Sequence, residues 1–106
     1  MFLLFYVTYP DEATAQRIGQ QLVRERLAAG TNCLPIKSSY WWKEAVVEEG
    51  EWVGILKTQL AGEAALEQRI EALHPYEVPC IVRTEVRANA AYEKWIVDQT
   101  QPPKKL

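Results

Sequence analysis

The chain's single histidine and one of its two cysteines lie in the same short stretch, residues 73–80. An imidazole and a thiolate are ligands that suit copper or zinc. His74 and Cys80 are therefore the candidate metal ligands, and we expect a divalent copper or zinc ion to bind there weakly. The alternative is that His74 only forms a hydrogen bond at a helix end, where a basic side chain is favoured. No H-x-x-x-H or C-x-x-C spacing defines a complete metal site in one subunit.

Other reactive side chains have structural explanations. A free cysteine in a strand pattern, such as Cys33, is commonly a small buried apolar residue. A cysteine–histidine nucleophile pair needs an orienting group and oxyanion donors, and the sequence indicates neither, so we predict no enzymatic activity. Four glutamates near predicted turns are expected to be solvated rather than to act as acids or bases: Glu44, Glu48, Glu49 and Glu51.

Composition narrows the function classes further. The length of 106 residues predicts one domain over residues 1–100, followed by a disordered tail at 101–106. A net charge of −2 argues against a nucleic-acid interface, and no segment is apolar for long enough to span a membrane. The apolar start of the chain has no basic leader or cleavage pattern, and two unpaired cysteines fit a reducing compartment. We therefore expect a cytoplasmic location.

Two prolines determine how His74 is held. Pro75 and Pro79 fix the backbone on both sides of Tyr76, and Pro75 excludes the residue before it from the helical region. The preceding helix, predicted over residues 63–73, must therefore end near Leu73. A strand is predicted immediately afterwards, over residues 78–86.

The rest of the chain alternates strands and helices. Residues 2–9 are apolar on both faces and predict a buried strand. After Pro10 we expect an amphipathic helix that Gly30 terminates, with its apolar stripe at Ala15, Ile18, Leu22 and Leu27. A second strand from Thr31 is expected to be interrupted at Pro35. After a reversal at Glu44 and Ala45, a third strand is predicted to bend near Gly50 and to end at Thr58. Asn89 is a candidate N-cap for a short last helix.

The hairpin formed by the second and third strands is too long for its domain. Residues 45–58 would extend about 45 Å at ~3.3 Å per residue, whereas a domain of this size has a radius of gyration of about 13 Å. An isolated two-stranded ribbon is marginal in water. We therefore predict that the arm lies on a neighbouring subunit through large side chains near its tip: Tyr40, Trp41, Trp42 and Lys43.

The predicted order, β-α-β-β-α-β plus a short C-terminal helix, is the α+β ferredoxin-like split βαβ fold. Right-handed crossovers place both main helices on one face of the sheet. The other face is rich in apolar residues and needs a cover, which self-association would supply.

Six segments together resemble the CutA divalent-cation-tolerance family. They span nearly the whole chain in order: V-T-Y-P at residues 7–10, L-A-A-G-T-N at 27–32, S-S-Y-W-W-K at 38–43, K-T at 57–58, H-P-Y-E-V-P at 74–79 and Y-E-K-W-I at 92–96. The resemblance implies a ferredoxin-like fold in a tight homotrimer, similar to the PII signalling proteins. It also implies a role in tolerance or response to divalent metals such as copper.

The sequence departs from the family pattern at possible metal ligands. Gly30 stands where the family often has cysteine, and Cys80 stands where it usually has glutamate after the second proline. Val7 and Leu73 occupy positions where some members carry a cysteine and a second histidine. Of those possible ligands His74 alone remains. Replacement of an oxygen ligand by the Cys80 thiol would shift the preference towards copper(I) or zinc.

Two functional hypotheses follow. The first is a non-enzymatic homotrimer that binds divalent metal through His74 and Cys80, with no nucleic-acid or membrane partner. The second is a PII-like signalling or adaptor protein that binds a small molecule in clefts between subunits. A nucleotide- or anion-binding loop would favour the second hypothesis, and no such loop is recognisable in the sequence.

Overall fold

The computed structural model describes residues 1–101, and within them the chain forms one four-stranded antiparallel sheet and three α-helices. The elements are β1 (Phe2–Tyr9), α1 (Glu12–Arg24), β2 (Gly30–Trp42), β3 (Ala45–Thr58), a 3₁₀ turn (Leu60–Gly62), α2 (Glu63–Leu73), β4 (Ile81–Val86) and α3 (Ala90–Gln99). The strand order is β2-β3-β1-β4. The predicted ferredoxin-like α+β fold is therefore confirmed. Residues 102–106 of the predicted tail lie outside the described residues.

The core lies between the sheet and its two main helices. Alternate residues of β1, among them Phe5 and Val7, point to the helical side and are fully buried. They pack in one cluster with Leu22 of α1 and with Leu66 and Ile70 of α2. This arrangement confirms that both helices cover the same face of the sheet. No helix within the described residues is long and apolar enough to cross a membrane.

Helix α1 ends earlier than predicted. The prediction that it reaches Leu27 and is terminated by Gly30 is wrong, because the helix ends at Arg24 and Gly30 begins β2. The termination is a Schellman motif: Arg26 donates its N–H to Val23 O at 3.0 Å, and Leu27 donates to Leu22 O at 3.0 Å. Arg26 has a φ of 65° in this motif. Glycine usually supplies that left-handed conformation.

The hairpin of β2 and β3 is more regular than predicted. Pro35 does not interrupt β2, and Gly50 does not bend β3, because both lie in the continuous register that pairs Pro35 with Trp52 and Lys37 with Gly50. The order of strands explains the proline: β2 is an edge strand, so an N–H on its open side is not needed for pairing.

The hairpin reversal lies one residue earlier than predicted. Trp42 pairs with Ala45, and the two residues between them, Lys43 and Glu44, have φ values of 48° and 65°. Two consecutive left-handed residues are typical of the type I′ loop that matches the twist of a hairpin. The long hairpin contributes to an elongated shape, with principal extents of 51 × 31 × 21 Å.

The last elements also differ in detail. Strand β4 begins at Ile81 rather than at Val78, since residues 78–80 form no strand pairing. Asn89 is the N-cap residue of α3, as predicted, but its side chain makes no capping hydrogen bond. Instead its backbone oxygen accepts hydrogen bonds from the N–H groups of Tyr92 and Glu93, both at 3.1 Å.

Candidate functional site

Helix α2 ends where the proline rule predicts. Its last residue is Leu73, and His74 has extended backbone angles of φ −77° and ψ 136°. The residue before a proline is disfavoured in the helical region, so Pro75 ends the helix. His74 still donates its backbone N–H to Ile70 O at 2.9 Å, which fixes the position of its Cα at the helix end.

Both ring nitrogens of His74 form hydrogen bonds. Nε2 lies 2.7 Å from Thr8 O, and Nδ1 lies 3.1 Å from the backbone nitrogen of Tyr76. The carbonyl needs a donor and the N–H needs an acceptor, so the ring is neutral with its proton on Nε2. Burial lowers the pKa of His74, and the Thr8 carbonyl and the Glu51 charge oppose that shift.

Tyr9 supports the imidazole from the sheet. The two rings stack with centroids 5.0 Å apart and an interplanar angle of 14°. The ring of Tyr9 has room because residue 54 is glycine, where a Cβ atom would lie 3.0 Å from Tyr9 Cε2. The Tyr9 hydroxyl is buried without a hydrogen-bond partner among the described residues, and burial raises its pKa to about 12.

Glu51 is buried, and the prediction that it is solvated is wrong. Its residue surface is 6% exposed, and its Oε2 accepts a hydrogen bond of 2.6 Å from the Tyr76 hydroxyl. Glu51 and Val53 lie two residues apart on β3, so both side chains are on the face of the sheet opposite α1 and α2. The hydrogen bonds of His74, Tyr76 and Glu51 thus link β1, the end of α2 and β3.

An open cleft of about 1050 Å³ lies beside this network, between the hairpin and residues 75–80. Glu51 and Tyr76 line its inner part, while Tyr40 and Trp42 line it along the hairpin. The Tyr40 hydroxyl donates a hydrogen bond to Glu49, another residue of the lining.

The hairpin tip reaches the far side of the cleft. Lys43 Nζ lies 3.8 Å from Glu77 Oε2 and 5.5 Å from the centroid of the Trp42 ring. Both ends of the Lys43–Glu77 pair are well exposed to solvent, so this ion pair contributes little to stability.

The predicted metal ligands lie in different surroundings. Cys80 lines the cleft, whereas His74 is not among the residues that line it. No group of three or more histidine, cysteine, aspartate or glutamate side chains within residues 1–101 is arranged to hold a metal ion. A metal on His74 would have to displace Thr8 O or the Tyr76 N–H. The described residues of one subunit therefore do not form a prepared metal centre, and the assignment of His74 and Cys80 stays a prediction.

The predicted interface residues lie along the outer hairpin. Trp41 is the most exposed of the three aromatic residues, at 75%, while Tyr40 and Trp42 each expose more than a third of their surface. Sequence reasoning did not identify Glu51 and Tyr76 as a pair. Two features of the sequence pointed to them. Glu51 lies two residues from Val53 in a predicted strand, so both side chains are on one face, and Tyr76 lies between two prolines that fix its backbone.

Comparison with known proteins gives a consistent result. The family described as "CutA1 divalent ion tolerance protein" matches residues 3–99. The divalent-cation tolerance protein CutA of Pyrococcus horikoshii is 37% identical over 100 residues, which cover 93% of this chain and 98% of the relative. That of Thermotoga maritima is 39% identical over 95 residues, which cover 89% and 94%.

Solved structures agree with these relatives. A structure described as the periplasmic divalent cation tolerance protein CutA from Archaeoglobus fulgidus superposes with a TM-score of 0.92 at 31% identity, covering 95% of this chain and 100% of its own. CutA1 from Pyrococcus horikoshii superposes with a TM-score of 0.90 at 36% identity, covering 93% and 98%.

Proposed function

Because this chain belongs to the CutA1 divalent ion tolerance family, we propose that it acts as a non-enzymatic homotrimer that binds divalent metal, with copper as the principal ion. Its general role is in divalent-cation tolerance. The proposal adds the assembly, the metal and the residues that serve each of them.

The face of the sheet opposite α1 and α2 supports a trimer, because α3 covers only the end of it near Phe2 and Leu4. Tyr6 pairs with Ile55 and Val82 across the sheet, so these side chains share the face opposite α1 and α2. Tyr6 and Val82 are exposed there, and so is Leu34 on β2. Large apolar side chains exposed on one face of a sheet indicate an interaction site. Packing of three such faces would bury it.

The hairpin supports the same assembly and is the observation that carries it. Trp41 is 75% exposed at the end of a two-stranded arm. Burying an apolar side chain of this size is favourable by roughly 2 kcal/mol. In the proposed trimer, Tyr40, Trp41, Trp42 and Lys43 contact a neighbouring subunit.

The proposed metal binds weakly and draws its ligands from Cys80 and His74. Cys80 lines an open cleft and is the accessible soft ligand, which favours copper or zinc over hard cations. His74 can take part only if a metal replaces one of its two hydrogen bonds. Each such bond is worth about 1 kcal/mol net. An incomplete ligand set in one subunit fits a transient metal, or one that symmetry-related copies share.

Light scattering coupled to size exclusion tests the assembly. The wild-type protein should have three times the subunit mass of 12.2 kDa, and the Trp41→Ser/Trp42→Ser variant should give smaller species. Trp95→Ser is the control, because it makes the same chemical change on α3, beside Gly30 at the base of the hairpin and far from the tip. A trimer that persists in the double variant would remove the hairpin from the interface, and a wild-type monomer would overturn the proposal.

A second candidate function is small-molecule binding of the PII-like kind. The open cleft favours it, since known ligand sites reach volumes of about 1000 Å³ and the cleft is of similar size. Tyr6, Tyr40 and Trp42 line this cleft and also belong to the proposed interface, so in a trimer the cleft would lie between subunits. A thermal-shift screen with common metabolites is the direct test. An unchanged melting temperature with every compound would count against this candidate and leave the trimer untouched.

A further inference from the structure

The inner part of the cleft holds a carboxylate that no cation of the described chain neutralises. Glu51 is 6% exposed, and none of its atoms takes part in an ion pair within residues 1–101. Its one hydrogen-bond partner there is the neutral Tyr76 hydroxyl, on Oε2. Burial of a charged group is costly unless an opposite charge accompanies it, so the site favours an incoming cation.

The next carboxylate along the cleft repeats this arrangement. Glu49 is two residues from Glu51 on the same strand face, about 7 Å away at ~3.3 Å per residue. It accepts a hydrogen bond from Tyr40. That bond raises the pKa of Tyr40 to about 12, while burial, followed by the bond to Glu51, raises the pKa of Tyr76. Both phenols therefore stay protonated: they orient the carboxylates and do not neutralise them.

The two ends of the cleft differ in charge. Lys43 at the hairpin tip pairs loosely with Glu77 and lies over the Trp42 ring, so the outer end already accommodates an ammonium group on an aromatic face. Lys37 also lines the cleft, but it pairs with Gly50, so its side chain lies on the opposite face of the hairpin from Glu49 and Glu51. The two carboxylates near the inner end form no ion pair among the described residues. A ligand with positive charges spaced along a flexible chain would meet Glu51, then Glu49.

A metal ion is a less suitable ligand for the Glu49 and Glu51 carboxylates. Metal sites need several donors converging on one point, whereas Glu49 and Glu51 are spaced along a strand and the described residues form no convergent group. An aliphatic diamine has the complementary form, because a four-methylene spacer between two ammonium groups is close in length to the spacing of the two carboxylates.

We propose that the cleft binds a linear aliphatic di- or polyamine, with one ammonium group on Glu51 and the next on Glu49. The proposal rests on the second candidate function, that this cleft takes a small molecule, and it names the chemical class. The Tyr76 and Tyr40 hydroxyls hold the carboxylates in position, and the aromatic rings beside them contact the methylene chain.

Calorimetric titration of the intact protein with 1,4-diaminobutane and spermidine tests the proposal. Matched probes are 1-butylamine, with one charge, 1,4-butanediol, with none, and succinate, with the opposite charge. The diamine should bind at least about tenfold more tightly than butylamine, a difference of about 1.4 kcal/mol. Binding should weaken as salt is raised, because the contacts are ionic.

Charge-removing variants locate the site. Glu51→Gln and Glu49→Gln should each weaken diamine binding at least about tenfold. Glu48→Gln should leave it unchanged, because Glu48 is an exposed neighbour that faces the opposite side of β3. Glu49 is exposed, so its variant keeps the test valid if Glu51→Gln fails to fold.

Four results would overturn the proposal. Equal weakening by Glu48→Gln would mean diffuse attraction to an acidic protein. Binding of butanediol as tightly as the diamine would keep the cleft as a small-molecule site but exclude the cationic class, whereas binding of no probe would argue against the cleft as a site for this class. Dissociation of the oligomer in Glu51→Gln, with no diamine bound by the wild type, would mean that a neighbouring subunit supplies the cation.

Discussion

The hydroxyl of Tyr76 lies 2.6 Å from Oε2 of Glu51, and this hydrogen bond joins the proline-flanked corner to strand β3. The same tyrosine donates its backbone N–H to Nδ1 of His74. Tyr76 therefore connects the chain's one histidine to the most buried carboxylate of residues 1–101 through two separate hydrogen bonds. The position of Tyr76 sets the shape of the inner cleft.

Removal of the Tyr76 hydroxyl should destabilise the protein. Tyr76→Phe leaves the buried Glu51 oxygen without its donor, and we expect a loss of about 1–3 kcal/mol in the free energy of unfolding. Urea denaturation at one fixed protein concentration measures it, because an oligomer's stability depends on concentration. Tyr92→Phe is the control, since that ring packs on Phe2 at another part of the sheet.

A double-mutant cycle separates the energy of the Tyr76–Glu51 hydrogen bond from other effects of the two substitutions. The Tyr76→Phe and Glu51→Gln changes should be less than additive, because both remove the same interaction. Strict additivity of the two changes would show that the bond contributes no coupling energy.

Stability should fall as the solution becomes acidic below a pH of about 6.5. Burial lowers the pKa of folded His74 below its ordinary value, so the unfolded chain binds a proton at a pH where the folded protein does not. The contribution is complete above the unfolded pKa of about 6.5 and is lost as pH falls through the lower folded pKa. Protonation also removes the lone pair that accepts the Tyr76 N–H.

Urea denaturation between about pH 5 and pH 8, the range in which an imidazole titrates, measures this effect. His74→Phe should lower stability at every pH but flatten the slope in this window, because the sequence has no other histidine. An unchanged slope in the variant would assign the pH dependence to other groups. Phenylalanine is chosen at position 74 because an aromatic ring there can still stack on Tyr9.

Gly54→Ala should disturb the support of His74. The added methyl group would lie 3.0 Å from the Tyr9 ring, which stacks on the imidazole. We expect a loss of about 1–3 kcal/mol, typical of overpacking in a core. Gly50→Ala on the same strand has no heavy atom within 4 Å of the new Cβ and should be close to neutral. Equal effects of the two substitutions would show that Tyr9 can move without cost.

The hairpin turn offers a stabilising substitution. Glu44 has a φ of 65°. A non-glycine residue adopts this left-handed conformation at a cost of roughly 1 kcal/mol. Glu44→Gly should raise the free energy of unfolding by a similar amount, whereas Glu48→Gly within β3 should lower it. Thermal or urea denaturation of both variants distinguishes them. A loss of stability in Glu44→Gly would indicate that the glutamate side chain has a role at the tip.

The sequence predicts those parts of the fold that depend on local rules. Apolar runs identify β1, and the two prolines correctly place the end of α2 before His74. The end of α1 could not be found in the same way, because Arg26 occupies the left-handed position that the pattern assigns to a glycine.

The candidate site depends on contacts between distant parts of the chain. Glu51 resembles its solvated neighbours Glu48 and Glu49 in sequence, and it is held by Tyr76, which lies far from it along the chain. The hydrophobic periodicity of a sequence does not predict a contact between two such distant residues. The cleft was likewise unpredictable, because it forms only where the hairpin passes residues 75–80.

The most direct test of the proposed function is a calorimetric titration of zinc, and of copper(I) without oxygen, into reduced, metal-free and tag-free protein. We predict saturable binding that weakens at least about tenfold in Cys80→Ser and in His74→Ala, while Cys33→Ser, a second thiol in β2, binds as the wild type does. Absence of binding, or binding that neither Cys80→Ser nor His74→Ala changes, would contradict the metal site and leave the cleft as the functional centre.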